Sequence, residues 1–343
     1  MRIGVGLDAR LDLSLAGLRE AGREAARLGF ESLWTPAGGV PDAFHICGAW
    51  AEDGPLLTGT SVVPAARMWT PLALAAQAAT VGLRSAGRFI LGLGTGGYGP
   101  GFWASVGLPN KPIAVMRDYL TILRGLLAGE TVTHDGVALR ARGATLGQPD
   151  LPPVGIQLGA LGPQMVRLAG EMSDGALLNW ATPQRIAESR RLLEEGAARA
   201  GRDPHGVALT MYIRVCVDED VAAARQAFGA QVLGYAMARP GAPSTAGYRG
   251  LFAQMGFDEV LTELEARREQ GESMAALVAA APDEMLTAVG YFGPASGAAA
   301  AYARLTPGLD ETMVRVITAR PGLEPVVATM EALTPAKIRA ALG

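Results

Sequence analysis

Residues 58–96 read TGTSVVPAARMWTPLALAAQAATVGLRSAGRFILGLGTG, and this stretch decides the fold. Segment 57–63 is short, apolar and β-branched toward its end, and Pro64 forbids its continuation as a central strand. Thr70 is placed to cap a helix with Pro71 at its first position, and the apolar run 72–83 follows. Segment 89–93 is apolar on both faces, as a parallel strand covered on both sides requires. Gly92, Gly94, Gly96 and Gly97 then let the backbone turn sharply and approach something flat or anionic. The stretch is one βαβ unit with its ligand-facing loops in view.

Outward from it, the chain keeps alternating. Residues 3–7 form a buried strand, and 13–28 carry apolar residues at helical spacing until Gly29 stops them. ESLWT at 31–35 is the second strand, and Asp42 is an N-cap for the helix at 43–52. Downstream, a long loop at 96–112 is rich in glycine and aromatics, which marks it as functional. A helix at 113–128, a hairpin within 130–147, a strand at 154–158 and a helix at 163–172 come next. They are followed by a strand at 175–178, a helix at 185–200 and a strand at 207–217. Residues 218–282 break the rhythm, being helical with no strand, and read as an insertion or lid within a single domain spanning 1–343. A strand at 312–318 and a helix at 324–342 close the chain.

Eight short strands alternating with helices predict an α/β chain folded as a parallel (β/α)8 TIM barrel. A doubly wound sheet would need G-x-G-x-x-G in the first βα turn, and GLDARLDLS at 6–14 lacks it.

Of the 343 residues, 49% are hydrophobic and 18% charged, enough for a large core. The net charge of −3 gives nucleic acid and anionic membranes no electrostatic footing. Two distant cysteines, Cys47 and Cys216, fit a reducing, cytoplasmic setting and argue against a zinc site or a disulfide framework. The N-terminus has no apolar signal-peptide core, and no stretch reads as a membrane span. The partner expected is therefore a small molecule.

In a barrel of this kind the ligand sits at the C-terminal ends of the strands. Two loops there stand out: LGTGG at 93–97, and LGALGPQM at 158–165, where exposed N–H groups at a helix start suit a phosphate. As plain packing, these glycines make tight βα turns. Asp8 and His45 are the catalytic candidates. Asp8 ends the first strand, pointing to the mouth or capping the next helix; His45 sits one turn into a helix, where a half-buried structural role is the simpler reading. Tyr98, Phe102, Trp103 and Trp69 are candidates for an apolar substrate wall. His134 and His205 are expected in solvent.

Residues 58–96 resemble the signature of the bacterial-luciferase-like superfamily, most closely its branch using the deazaflavin coenzyme F420. GFESLW at 29–34, GLPNKPIAVMRDYLTILRGLLAGETVTHDG at 107–136 and LGALGPQMVRLAGEMSDGALLNW at 158–180 extend the likeness over nearly the whole chain. The resemblance implies a non-proline cis peptide bond from Ser61 to Val62, backing the deazaflavin ring. It implies that Thr95, Gly96 and Gly97 line the ring and its ribityl chain. Gly159, Ala160, Leu161, Gly162, Pro163 and Gln164 would hold the phosphate, and Asn179 and Trp180 would edge the pocket. It also implies a homodimer joined through 42–52 and 71–83.

The departures bear on chemistry. Sugar-phosphate dehydrogenases of the family carry an acid and a histidine where Ala37 and Gly38 stand, and a glutamate where Gly97 stands. Alcohol oxidation thus lacks an evident base. The expected activity is hydride transfer from the deazaflavin C5 to a small C=C or C=N acceptor. The alternatives are an FMN-dependent monooxygenase using O2 and a non-catalytic flavin-binding barrel.

Overall fold

The computed structural model describes residues 1–97, 100–238, 243–245 and 247–343. Eight parallel strands close on themselves: β1 (Arg2–Gly6), β2 (Ser32–Thr35), β3 (Leu57–Thr60), β4 (Phe89–Gly94), β5 (Gly155–Gly159), β6 (Gly175–Asn179), β7 (Ala208–Val217) and β8 (Glu311–Ile317). Closure runs through β7, which pairs with β6 at Leu209↔Ala176 and with β8 at Ile213↔Val314. β8 in turn pairs with β1 at Val5↔Val314. All eight strands coincide with the segments expected from the sequence, to within a few residues.

The helices cover the outside. α1 (Leu15–Arg27), α2 (Ala43–Asp53), α3 (Pro71–Arg84), α4 (Pro112–Leu127), α5 (Pro163–Met172) and α6 (Pro183–Arg199) follow the first six strands. Asp42 accepts from the Phe44 N–H at 2.9 Å, and Thr70 Oγ1 accepts from Ala73 N–H at 3.3 Å, so both expected caps are formed. The Ser61–Val62 peptide bond is cis, as the resemblance implied. The hairpin at Val132–Asp135 and Arg140–Ala144 is pinned to α4 by Asp118, which accepts from Ala138 N–H at 2.7 Å and Leu139 N–H at 3.0 Å. His134, expected in solvent, instead meets Asp118 Oδ1 at 3.0 Å and is half-buried, because that carboxylate draws the hairpin inward.

The segment read as the loop 96–112 contains a short helix, Pro100–Ser105. Phe102 and Trp103 pack edge-to-face at 5.1 Å, and Phe102 lies against Gly97. Burial of these rings orders a segment whose local sequence gives no helical signal. Between β7 and β8 the chain forms α7 (Val221–Ala236), further helices, and then a short strand, Gly290–Gly293, absent from the sequence reading. That strand pairs with β7 from Arg214↔Gly290 onward. β8 occupies one edge of β7 throughout, so β6 below and Gly290–Gly293 above share the other edge. The barrel mouth is thereby splayed between β6 and β7.

Two apolar bodies result. One lies between the barrel wall and its helices. The other gathers Phe228, Phe252, Leu261, Met285 and their neighbours beneath the helices after β7, anchored to the barrel through Trp180 and Cys216. Among the described residues, no helix is long and apolar enough to cross a membrane.

Candidate active site

Side chains two residues apart on a strand share a face, and that periodicity builds the barrel interior in layers. At the floor, Glu311 accepts from Ser32 Oγ at 2.6 Å and from Trp34 Nε1 at 3.1 Å. Above it, Trp34, Leu177 and Met313 form an apolar plug. One step further along the same faces come Asn179, Tyr212, Arg214 and Arg315. Above the plug, charge returns only at the C-terminal end, with Arg214 and Arg315.

A cavity of about 410 Å3 opens there. The cis bulge contributes Ser61 and Val62, the glycine loop Thr95, Gly96 and Gly97, and the end of β5 Gly159, Ala160 and Leu161. Asn179 and Tyr212 come from the barrel, and Tyr235 and Tyr248 reach in from the helices after β7. The Ser61 hydroxyl is buried and has no hydrogen-bond partner among the described residues. A smaller cavity of about 240 Å3 adjoins at Leu161 and is lined by Gly162, Pro163, Arg185 and Thr245. It faces the first turn of α5, whose N-cap, Gly162, has no side chain to satisfy the free N–H groups. A Cβ built at Gly162 would meet nothing within 4 Å, so the space before the helix is open. These features fit a planar ring in the larger cavity and a phosphate in the smaller one.

The polar groups form a connected set. Arg214 donates to Asn179 Oδ1, while Asn179 Nδ2 donates to the Tyr248 hydroxyl at 2.8 Å. The Arg214 guanidinium lies 4.0 Å from the Trp180 ring centre and 5.0 Å from those of Tyr212 and Tyr235. Burial raises the Tyr235 phenol, but Arg214, Arg10 and Arg315 outweigh it and hold the phenol below its ordinary pKa. Tyr248 has no such surplus, and burial pushes it up.

Several expected site residues stand elsewhere. Tyr98 lies outside the described residues. Phe102, Trp103 and Trp69 pack with the barrel-side core, Trp69 edge-on to Phe44 at 5.3 Å, because their rings find apolar partners there. The aromatic wall comes instead from Tyr212, Tyr235 and Tyr248. Trp180 lies behind Asn179, fully buried against Arg214 and the second apolar body. Gln164 faces solvent on the first turn of α5. His45 is 75% exposed beside Asp42 and lines neither cavity. Asp8 takes both roles considered for it, accepting from Arg10 N–H at 2.8 Å as a cap and pairing with Arg10 and Arg315 at the mouth.

The sequence reading missed Arg214 and Arg315. Their signal was present: MYIRVCV and TMVRVIT each place one arginine inside an otherwise apolar barrel strand. Tyr235 and Tyr248 carried no such mark, since nothing local shows which helix of an insertion faces a cavity.

A closed parallel barrel with adjoining cavities at its C-terminal mouth defines the class. The chain belongs to the luciferase-like monooxygenase family, which it matches over residues 1–308. It is 38% identical over 146 residues to a 5,10-methylenetetrahydromethanopterin reductase of Methanolobus tindarius, covering 42% of this chain and 43% of that one. With an F420-dependent glucose-6-phosphate dehydrogenase of Beutenbergia cavernae it shares 33% over 220 residues, covering 59% and 65%. The chain thus aligns with roughly half the length of these relatives. The solved structure of the F420-dependent tetrahydromethanopterin reductase from Methanopyrus kandleri superposes with a TM-score of 0.74 at 20% identity, over 98% of this chain and 99% of the other. That likeness extends to the fold.

Proposed function

We propose that this protein is an F420-dependent oxidoreductase that delivers hydride to an activated C=C or C=N bond of a small organic acceptor. One observation carries the reading: the bulge at Ser61–Val62, the glycine loop and the open first turn of α5 line two adjoining cavities, one ring-sized and one phosphate-sized. The names of the relatives agree with it. Within this reading Ser61, Val62, Thr95, Gly96 and Gly97 hold the ring, Gly159 to Gly162 and Arg185 hold the phosphate, and Asn179 edges the ring.

When bound, the reduced deazaflavin supplies the hydride. The chain's own residues do the rest. Asn179, fixed between Arg214 and Tyr248, orients the acceptor. Tyr235 gives its phenolic proton to the atom next to the one that gains hydride, completing addition across the double bond. The tyrosinate left behind is stabilised by Arg214, Arg10 and Arg315 until solvent restores the proton. The helices after β7 act as a lid, placing Tyr235 and Tyr248 over the cavity and excluding water.

The reading includes a homodimer formed through α2 and α3, where Leu72 and Leu83 expose 44% and 52% of their surface. Two buried free cysteines support a reducing, cytoplasmic setting.

Paired fluorescence titrations with oxidised F420 and with FMN test the reading. Binding of F420 in the micromolar range, about tenfold or more tighter than FMN, is expected. Preference for FMN would replace it with the oxygen-dependent monooxygenase, and binding of neither would reduce the glycine loops to turns.

A further inference from the structure

A third chamber, of about 210 Å3, opens between the C-terminal ends of β7 and β8 and the start of the chain after β1. Its polar lining is Asp8, Arg10, Arg214, Gln231, Arg315 and Thr318. The charge balance there is unusual. Arg214 and Arg315 are only 2% and 3% exposed, and Asp8 is the sole carboxylate within ion-pair distance of the three arginines among the described residues. Asp8 Oδ2 already accepts from Arg10 Nε at 2.9 Å and Nη2 at 2.7 Å, and from Arg315. Arg10 Nη1 turns to Gln231 Oε1 at 3.0 Å. Among the described residues Arg214 forms no ion pair and leans on aromatic faces instead, and Arg315 Nη1 has no hydrogen-bond partner. The two buried guanidiniums, Arg214 and Arg315, against one carboxylate leave a positive charge in the interior, and half-exposed Arg10 adds a second at its edge.

Such a surplus is costly to hold away from water. Aromatic faces offset it in part, as they do for Arg214, but they do not neutralise it. A planar guanidinium fork matches carboxylate and phosphate oxygens. Tyr212 and Tyr235 line the ring cavity and also lie against Arg214 and Arg10, so the two chambers share a partition.

We infer that the Arg10–Arg214–Arg315 chamber is an oxyanion subsite, and that the acceptor of this enzyme is an anion whose carboxylate or phosphate sits there while its reducible bond lies across Tyr235 over the ring. The identity of the occupant as acceptor rests on the hydride-transfer reading; the anion site itself does not. At about 210 Å3 the chamber has room for the anionic headgroup of a small acid.

Calorimetric titration of the full chain with succinate, inorganic phosphate and uncharged succinamide tests it, alongside F420 binding by fluorescence. Succinate or phosphate is expected to bind at least about tenfold more tightly than succinamide. Arg315→Gln should weaken that binding by a similar factor. Because this substitution strips Asp8 of a buried partner and can unfold the chain, Arg10→Gln, on a half-exposed side chain, is the second variant and should act in the same direction. Loss of phosphate binding in the variants without loss of succinate binding identifies a phosphate ester as the source, and the converse a carboxylic acid; both support the subsite. Binding of both succinate and phosphate no tighter than that of succinamide overturns the proposal, as does binding of both oxyanions that survives both substitutions, since the ions then sit elsewhere. F420 binding without oxyanion discrimination sinks the subsite and spares the hydride reading. Discrimination without F420 binding does the reverse.

Discussion

At the scale of single residues, Asp8 shows how one carboxylate can organise a site. Burial raises its pKa, but Arg315 and Arg10 more than reverse this and hold it at about 2, below the ordinary 3.8. A depressed carboxylate contributes stability that is fully present above its unfolded value and is lost as pH falls through the folded one. The window therefore runs from 3.8 down to about 2, and the contribution is about 2 kcal/mol. Asp8→Asn should lower stability at neutral pH by about 3 kcal/mol, because the buried Arg315 guanidinium loses its counter-charge and half-exposed Arg10 loses its partner. The same variant should flatten the loss of stability below pH 4. Urea unfolding across that range checks both, and an unchanged acid limb in the variant would assign the effect to other carboxylates. Tyr235 makes a separate case. Tyr235→Phe keeps the ring packing against Tyr248 at 5.0 Å and removes only the hydroxyl. With an acceptor in hand, it should lower kcat by about 100-fold, abolish the alkaline limb of the pH profile and leave F420 affinity intact. A loss confined to KM would make Tyr235 a binding residue.

At the scale of elements, the barrel was legible because each strand is buried on both faces, and that leaves an apolar run between turn residues. The site was legible only where backbone makes it. The glycine loop and the α5 turn could be located from their glycines, but the sequence does not tell which glycine answers to packing and which to a ligand. The structure separates them. A Cβ at Gly92 would lie 1.8 Å from the Thr60 carbonyl oxygen, so this glycine lets β4 pass the bulge, whereas Gly162 has open space before it at an ordinary φ of −104°. Gly92→Ala should therefore cost about 3 kcal/mol in unfolding free energy. Gly162→Ala should leave stability within about 0.5 kcal/mol and weaken F420 binding instead. Thermal melts and fluorescence titrations of the pair distinguish the two roles, and the opposite pattern would mean that the phosphate lies away from α5. The aromatic wall was misplaced for a related reason. Trp103 and Trp69 look the same in sequence whether they face a ligand or a core, and apolar partners decide between the two.

At the scale of the whole molecule, the two apolar bodies meet along a seam, and the ring cavity lies in it. The barrel side supplies Asn179 and Tyr212, and the helices after β7 supply Tyr235 and Tyr248. Few covalent or backbone constraints tie these helices to the barrel beyond β7 and the strand Gly290–Gly293, so their docking depends on side-chain contacts: Trp180 and Cys216, Arg214 against Tyr235, and the Arg10–Gln231 and Asn179–Tyr248 hydrogen bonds. No local pattern announces such an arrangement, because its contacts join residues far apart in the chain, as with Asn179 and Tyr248. A ligand held between two bodies stabilises the closed form against both local opening and unfolding. F420 at a hundredfold excess over its Kd should add about 2.7 kcal/mol to global stability. Its effect on hydrogen exchange should be uneven. Amides of Val221–Ala236 should slow by at least about tenfold, while those of α1, remote from the seam, should change little. Equal protection of both helices would mean that the barrel binds the cofactor without engaging the helices after β7, and the lid would be lost from the mechanism even if F420 binding itself were confirmed.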